Sequence, residues 1–333
     1  MLTLRRGTVV DVRDHPPATE QRLTVEVDGA RRPAVADVAL VGFCAVGDDV
    51  VVNTVAVELG LGSGGFDIVH VNLTRGLGGA GAQGAHVMKL NYTSLQHAVH
   101  PVEGEELRIP LDRPAAVFGL HGQLAAIAWA VAQGRPGARL GYVQTAGGAL
   151  PGGHSRLVGD LRGRGLLAGH ITAGPCFGGE EEAITTAGAI HHGIGERGWD
   201  AAVCGPGPGI LGSASALGHG GMSALDTAHA AAALGCPVVL CARMSETDER
   251  RRHRGLSHHT VTVLSLLLAR VTVAFPVGDA ASIPGDHVVR ELPVDLDGYL
   301  ASGLPARSMG RDDPLFFRAA LACGAALADT LPG

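Results

Sequence analysis

Over the first hundred residues, apolar and polar positions alternate in short runs. Gly7-Thr-Val-Val-Asp-Val-Arg and Arg22-Leu-Thr-Val-Glu-Val carry the two-residue period of strands with one buried face. Asp28-Gly29 marks a tight turn after the second run. Similar runs at Ala34–Leu40, Asp49–Asn53 and Asp67–Leu73 complete the pattern of a small β-barrel or sandwich. The Gly- and Ala-rich stretch from Arg75 to Gly84 has no such period and reads as a mobile loop.

From Leu111 the rhythm changes. Apolar runs at Ala115–Leu120, Leu140–Gln144, Ala168–Thr172, Ala201–Cys204, Val238–Cys241 and Val271–Phe275 read as strands. They alternate with helix-length segments at Leu124–Ala132, Ser155–Arg164, Glu180–Glu196, Ser223–Leu234 and Ser257–Ala269, and a last helix is predicted over Pro314–Leu327. Strands that are apolar on both faces and alternate with helices belong to a parallel sheet covered on both sides. The expectation is an α/β protein. Residues 111–333 form a Rossmann-like parallel sheet with helices on both faces, preceded by a small β-rich domain over 1–110.

Composition narrows the function class. Hydrophobic residues make up 46% and charged residues 17%, the balance of a folded globular chain. Aromatics are only 4%, so the core is built from Ala, Val, Leu and Ile. A formal charge of −6 argues against nucleic acid as a partner. The six cysteines include no CxxC pair and fall largely in apolar runs, so they read as reduced core thiols. The start Met1-Leu-Thr-Leu-Arg-Arg lacks a following apolar region, and the long apolar stretch at Val261–Val277 is broken by Thr262, Ser265, Arg270 and Thr272. Neither a signal peptide nor a membrane span is expected, and the location implied is the cytoplasm. A homodimer is expected only because symmetric dimers are common.

In open parallel sheets ligands bind beyond the carboxyl ends of the strands. The segments just past the predicted strands are Gly119-Leu-His121-Gly122, Gln144-Thr145-Ala-Gly-Gly, Thr172-Ala-Gly-Pro-Cys176-Phe-Gly178-Gly179-Glu180, Gly205-Pro-Gly207-Pro-Gly209 and Arg243-Met-Ser245-Glu246. Gly207, Gly209 and Gly212 match a dinucleotide fingerprint as a string, but so do Gly60, Gly62, Gly65 and Gly79, Gly81, Gly84, where no such turn is expected. An anion-binding glycine turn is the reading favoured for Gly205, Gly207 and Gly209.

The richest stretch runs from Arg243 through Arg250, Arg251, Arg252, His253, Arg254 and Gly255 to Ser257, His258 and His259. Ser257 reads as a helix N-cap, with His258 and His259 in the first turn. The positive end of the helix dipole disfavours imidazolium there, leaving both rings neutral and fit for acid–base work. Arg252 and Arg254 offer forked donors to phosphate or carboxylate. The plain alternative is a solvated arginine face paired with Glu246, Asp248 and Glu249. Glu180, Glu181 and Glu182 read as the first turn of a helix after Gly178-Gly179, with Glu180 the one to act as base or ligand. A mixed metal site from Glu180, His258, His259 and His121 is conceivable on donor chemistry, without any supporting spacing, and the cofactor stays open. His191-His192 reads as a packing pair, and Cys176 as a buried thiol.

At Arg252-His-Arg-Gly-Leu-Ser-His-His-Thr the sequence resembles the bacterial domain-of-unknown-function family 3866. The resemblance continues through Gly207-Pro-Gly-Ile-Leu-Gly-Ser, Leu217-Gly-His, Phe177-Gly-Gly-Glu and Ala85-His-Val-Met-Lys89-Leu-Asn-Tyr92-Thr-Ser-Leu-Gln96. It implies that the β-rich and α/β portions belong together, and that Lys89, Tyr92 and Gln96 face the same site. It implies no activity. Three functions remain open: an enzyme acting on a small anionic metabolite, a non-catalytic ligand-binding regulator with a protein partner, and a structural protein.

Overall fold

The computed structural model describes residues 2–14, 19–61, 64–79 and 81–332. Met1 and Gly62, which enter the sequence readings above, lie outside the described residues. The chain divides into two units, 1–100 and 101–333. Residues 101–110 belong to the second unit, where the Val102 amide donates to the Glu182 carbonyl.

In the first unit, β1 (Leu4–Val12), β2 (Glu20–Val27), β3 (Ala30–Asp37), β4 (Asp49–Asn53) and β5 (Asp67–Asn72) close into a barrel in the order β1-β2-β3-β5-β4. Alternate residues fill it, among them Val9, Leu23, Val25, Val50, Val52 and Val69. Asp28 and Gly29 join β2 to β3 with φ of 49° and 77°. Two successive positive φ values define a turn whose twist matches the strands it connects. Arg75, at the head of the glycine-rich stretch, is held in place. Its guanidinium donates to the buried Asp48 carboxylate at 2.8 and 2.9 Å. Ala80 of that stretch lies outside the described residues. Short helices α1 (Val38–Val41) and α2 (Val55–Glu58) and a hairpin of β6 (Val87–Lys89) and β7 (His97–Val99) complete the unit. Lys89 is buried on β6, and Tyr92 is 96% exposed in the hairpin loop, where its amide donates to Gln96.

The second unit is an eight-stranded sheet, parallel throughout. Its strands are β8 (Ala115–Val117), β9 (Leu140–Thr145), β10 (Gly169–Ala173), β11 (Glu181–Ala183), β12 (Ala201–Pro206), β13 (Val238–Cys241), β16 (Thr272–Pro276) and β17 (Val288–Leu292), in the order β11-β10-β9-β12-β8-β13-β16-β17. The two-residue strands β14 (Met244–Ser245) and β15 (Gly255–Leu256) pair separately, as an antiparallel clasp. Side chains alternate between two cores. Ala116, Phe118, Leu140, Tyr142, Val203 and Val239 join α3 (Leu124–Gly134), α4 (Arg156–Gly163), α8 (Leu296–Ala301) and α9 (Pro314–Thr330). Ala115, Val117, Val143, Cys204 and Leu240 join α5 (Thr186–Gly195), α6 (Ser223–Ala233) and α7 (His258–Leu266).

One helix departs from the pattern. The sequence predicts a helix from Glu180, but Glu181–Ala183 form the edge strand β11, pairing with Ile171–Ala173. The helix waits for Thr185, whose hydroxyl accepts from the Gly188 amide as its N-cap. The three carboxylates are therefore not dipole-compensating groups. Glu181 binds Arg197, and Glu182 accepts from Thr172 Oγ1 at 2.8 Å and the Gly178 amide at 2.7 Å.

The strand order sets the site. From β8 the chain leaves to α3 on one face, whereas the neighbouring β12 and β13 lead to α6 and α7 on the other. Loops that part to opposite faces open a crevice at the carboxyl end of the strand between them.

Candidate functional site

The loop after β13 is tied at its base by the β14–β15 clasp and from within by Asp248. That carboxylate is 1% exposed. It accepts from the Arg250 amide at 3.0 Å, from the Arg250 guanidinium at 2.9 and 2.8 Å, and from Arg311 at 3.0 Å. Arg243 stands 3.7 Å away. Hydrogen bonds from Arg250, first, hold the Asp248 carboxyl well below the usual carboxylate range. The Asp248 carbonyl takes the Arg254 guanidinium at 2.9 Å, so Arg254 is occupied in holding the loop. Arg252 is exposed and makes no hydrogen bond or ion pair among the described residues.

With the loop fixed, its histidines converge with one from the β12 loop. Ser257 caps α7 as the sequence predicts, its hydroxyl accepting from the His259 amide at 3.3 Å. The same hydroxyl lies 2.7 Å from His253 Nδ1. The rings of His253, His258 and His259 have centroids 4.4 to 4.9 Å apart. One ring nitrogen of each lies within 4.8 Å of the others. His219 stacks on His259 at 3.5 Å with an interplanar angle of 8°. His253 and His219 are buried, at 1% and 5% exposure. His258 Nε2 is buried with no hydrogen-bond partner.

Burial is the first cause that pushes all four rings below the ordinary imidazole range, which favours their neutral forms. Burial and then Arg243 push His259 down to about 2 and His253 down to about 3. His258 is lowered by burial and then by Arg252. His219 is lowered by burial and then by His258. Arg243 is 5% exposed, and its guanidinium lies 2.8 Å from His259 Nδ1. Beside this group is a cavity of about 20 Å³ lined by Gly119, Gly221, Cys241, Arg243, His259 and Thr260. It has room for about one water-sized group.

The other predicted residues go elsewhere. Glu180 lies beside the edge strand β11, where Arg162 donates to it at 2.6 Å. β11 is five strands from β13, roughly 24 Å at the usual strand spacing, so Glu180 cannot join the histidines. Gly178 and Gly179 form the turn into that edge, and their amides are spent on Glu182 and Thr172 Oγ1. Gly205 and Gly207 are glycine for packing. A Cβ at Gly205 would fall 2.4 Å from the Phe118 ring, and one at Gly207 2.5 Å from the Ala149 carbonyl. Gly209 is free of such crowding and has φ of 66°, a turn residue.

His121 faces the opposite core. Its Nε2 lies 2.7 Å from Ser155 Oγ, and its Nδ1 lies 3.2 Å from the Pro206 carbonyl. A carbonyl can only accept, so Nδ1 carries the proton and Ser155 donates to Nε2. Tyr142 stacks on His170 at 5.0 Å, and His170 Nε2 lies 3.2 Å from Gln144 Oε1. Burial lowers His170 to about 3, so the folded chain resists a proton that the unfolded chain accepts near pH 6.5. Stability is therefore independent of this ring above pH 6.5 and falls as the pH drops below it. Between pH 7 and 5 the loss due to this ring is expected to be about 2 kcal/mol. Urea denaturation at both pH values checks this: His170→Gln should lose less stability than wild type on acidification, and equal losses would contradict it.

Comparison with known families adds one result. Residues 33–324 match the family model described as Protein of unknown function (DUF3866). The chain belongs to that family. The match spans parts of both units, beginning within β3 of the first. Neither the comparison with curated proteins nor that with solved structures returns a match.

Sequence reasoning brought His258, His259, Ser257 and Arg252 to this crevice, named Arg243 among the strand-end residues without a role, and passed over His253 and His219 as site residues. His253 stood inside the arginine run. His219 follows β12 by thirteen residues, within Leu217-Gly-His, and its placement depends on how that loop folds back. No helix among the described residues is long and apolar enough to cross a membrane.

Proposed function

We propose that this chain is an enzyme acting on a small anionic metabolite held at the carboxyl ends of β8 and β13. The observation that carries the reading is the convergence of four neutral imidazoles with Arg252 and Arg243 at the point where the strand order reverses. Arg252 supplies an uncommitted forked donor suited to a phosphate or carboxylate. Arg243 supplies a buried charge beside the cavity, and the histidine group supplies the chemistry. Arg254 serves by fixing the loop, Gly205 by leaving room for the Phe118 ring, and Gly207 by letting its backbone approach Ala149. The six cysteines are all free and buried, which supports a reducing location such as the cytoplasm.

The test is calorimetric titration of the full chain with inorganic phosphate, nucleotides, sugar phosphates and small carboxylates. At least one should bind, and Arg252→Ala should weaken it roughly 10- to 100-fold, the loss of a charged hydrogen bond. Arg162→Ala, at the distant sheet edge, should leave affinity unchanged. Equal binding by Arg252→Ala and wild type would overturn the assignment. Tight binding without turnover of any bound compound would favour a ligand-binding regulator.

A further inference from the structure

We infer that His253, His258 and His259 together hold a divalent transition-metal ion of the zinc or cobalt class. This rests on reading the crevice as the functional site, and it names the group that would do the chemistry there.

Three observations carry it. The three rings bring one nitrogen each within 4.8 Å of the others, on a loop fixed by Asp248 and the first turn of a capped helix. His258 Nε2 is buried without a partner, and an unsatisfied buried nitrogen is costly unless something else engages it. His253 has its Nδ1 on the Ser257 hydroxyl at 2.7 Å, the kind of outer hydrogen bond that orients a ligating ring and leaves Nε2 for an ion.

The donor set selects the metal. Three imidazoles without a carboxylate suit zinc, cobalt, nickel or copper and do not suit magnesium or calcium. Three protein ligands leave a coordination position open, the arrangement found in catalytic rather than structural zinc sites. The buried Arg243 guanidinium lies 2.8 Å from His259 Nδ1, so an ion added beside it attracts an anionic group to the open position. That is the connection to the anionic metabolite.

One contact must change on loading. His259 Nδ1 accepts from Arg243, which places the ring proton on Nε2. Ligation requires Arg243 to release that ring, and Asp248, 3.7 Å from its guanidinium, offers an alternative partner.

The experiment uses untagged full-length protein stripped with a chelator and titrated with Co²⁺ and Zn²⁺. Stoichiometry is measured by elemental analysis, and coordination by the visible absorption of Co²⁺. One ion per chain is expected, with a ligand-field spectrum. Affinity should fall roughly 100-fold or more in His253→Ala and in His258→Ala, while His121→Ala binds as wild type does. Circular dichroism of each variant, together with the milder His258→Gln, separates lost ligation from lost folding. Wild-type protein that takes up no ion, or a folded His258→Gln that binds as tightly as wild type, overturns the inference. Inorganic phosphate is then added to both forms. Phosphate that binds metal-free protein through Arg252, in a chain that takes no ion, leaves the anion reading standing alone. An ion whose spectrum phosphate leaves unchanged upholds the metal site and removes that anion as its ligand.

Discussion

Asp248→Ala is expected to destabilise the second unit by about 3–5 kcal/mol, the cost of removing one member of a buried charge network. The carboxylate is 1% exposed and is approached by Arg250, Arg311 and Arg243. Taking it away leaves Arg243, 5% exposed, without its counter-charge. Arg250 is 45% exposed at its side chain and can turn to solvent, so most of the loss comes from Arg243 and Arg311. The loop also loses the turn that Asp248 builds by accepting from the Arg250 amide, and that turn carries His253. Asp248→Asn keeps an oxygen for that amide and should cost less, roughly half as much. Urea denaturation of the three proteins at neutral pH checks the ranking. Equal midpoints for Asp248→Ala and wild type would show that the arginines are solvated, as an isolated arginine run often is.

That prediction also shows what was legible in the sequence. The run Arg250–Arg254 announced a charged loop, but its chemistry divides in a way no spacing reveals. Arg250 and Arg254 turn inward to Asp248, while Arg252 is left outward and uncommitted. The division is decided by a single buried carboxylate and by a loop closed through Met244–Leu256 pairing, both tertiary facts.

The sheet was more legible because its signal is local. Six apolar runs, each bounded by glycine or a helix pattern, appear as six central or near-central strands. The two edge strands were missed for opposite reasons. β11 is three residues long and begins with two glutamates, which resemble a helical first turn. β17 has no buried residue and carries Arg290 and Glu291, so it lacks the all-apolar signature of a covered strand. Ser257 and the α7 start were readable because an N-cap is a local hydrogen bond. His219 was not, because its position depends on a loop folding back over the sheet.

The glycines give the sharpest test of that last point. Gly220→Ala is expected to cost about 3 kcal/mol and to dismantle the histidine group. An added Cβ would fall 1.8 Å from the Gly147 carbonyl oxygen, backbone against backbone, with no flexible side chain to yield. In the other direction, a Cβ on Gly147 would meet the Gly220 carbonyl at 2.3 Å, so the loops after β9 and β12 cross here only because both residues are glycine. Relief requires the β12 loop to lift, a backbone shift at the upper end of what overpacking costs. His219 is the adjacent residue, and Gly221 lines the cavity, so the stack on His259 and the cavity wall move with it. Gly159→Ala is the control. It lies in α4 with nothing within 4 Å of its new Cβ, and it should be neutral or stabilising by up to about 1 kcal/mol, the helix preference for alanine. Urea midpoints and Co²⁺ titration of both variants separate the outcomes. Gly220→Ala should lose stability and cobalt affinity together, whereas an unchanged midpoint would mean the two loops do not meet at Gly147 and Gly220. A lowered midpoint with cobalt affinity retained would mean that His219 and the cavity wall are not needed to hold the three ligating rings in place.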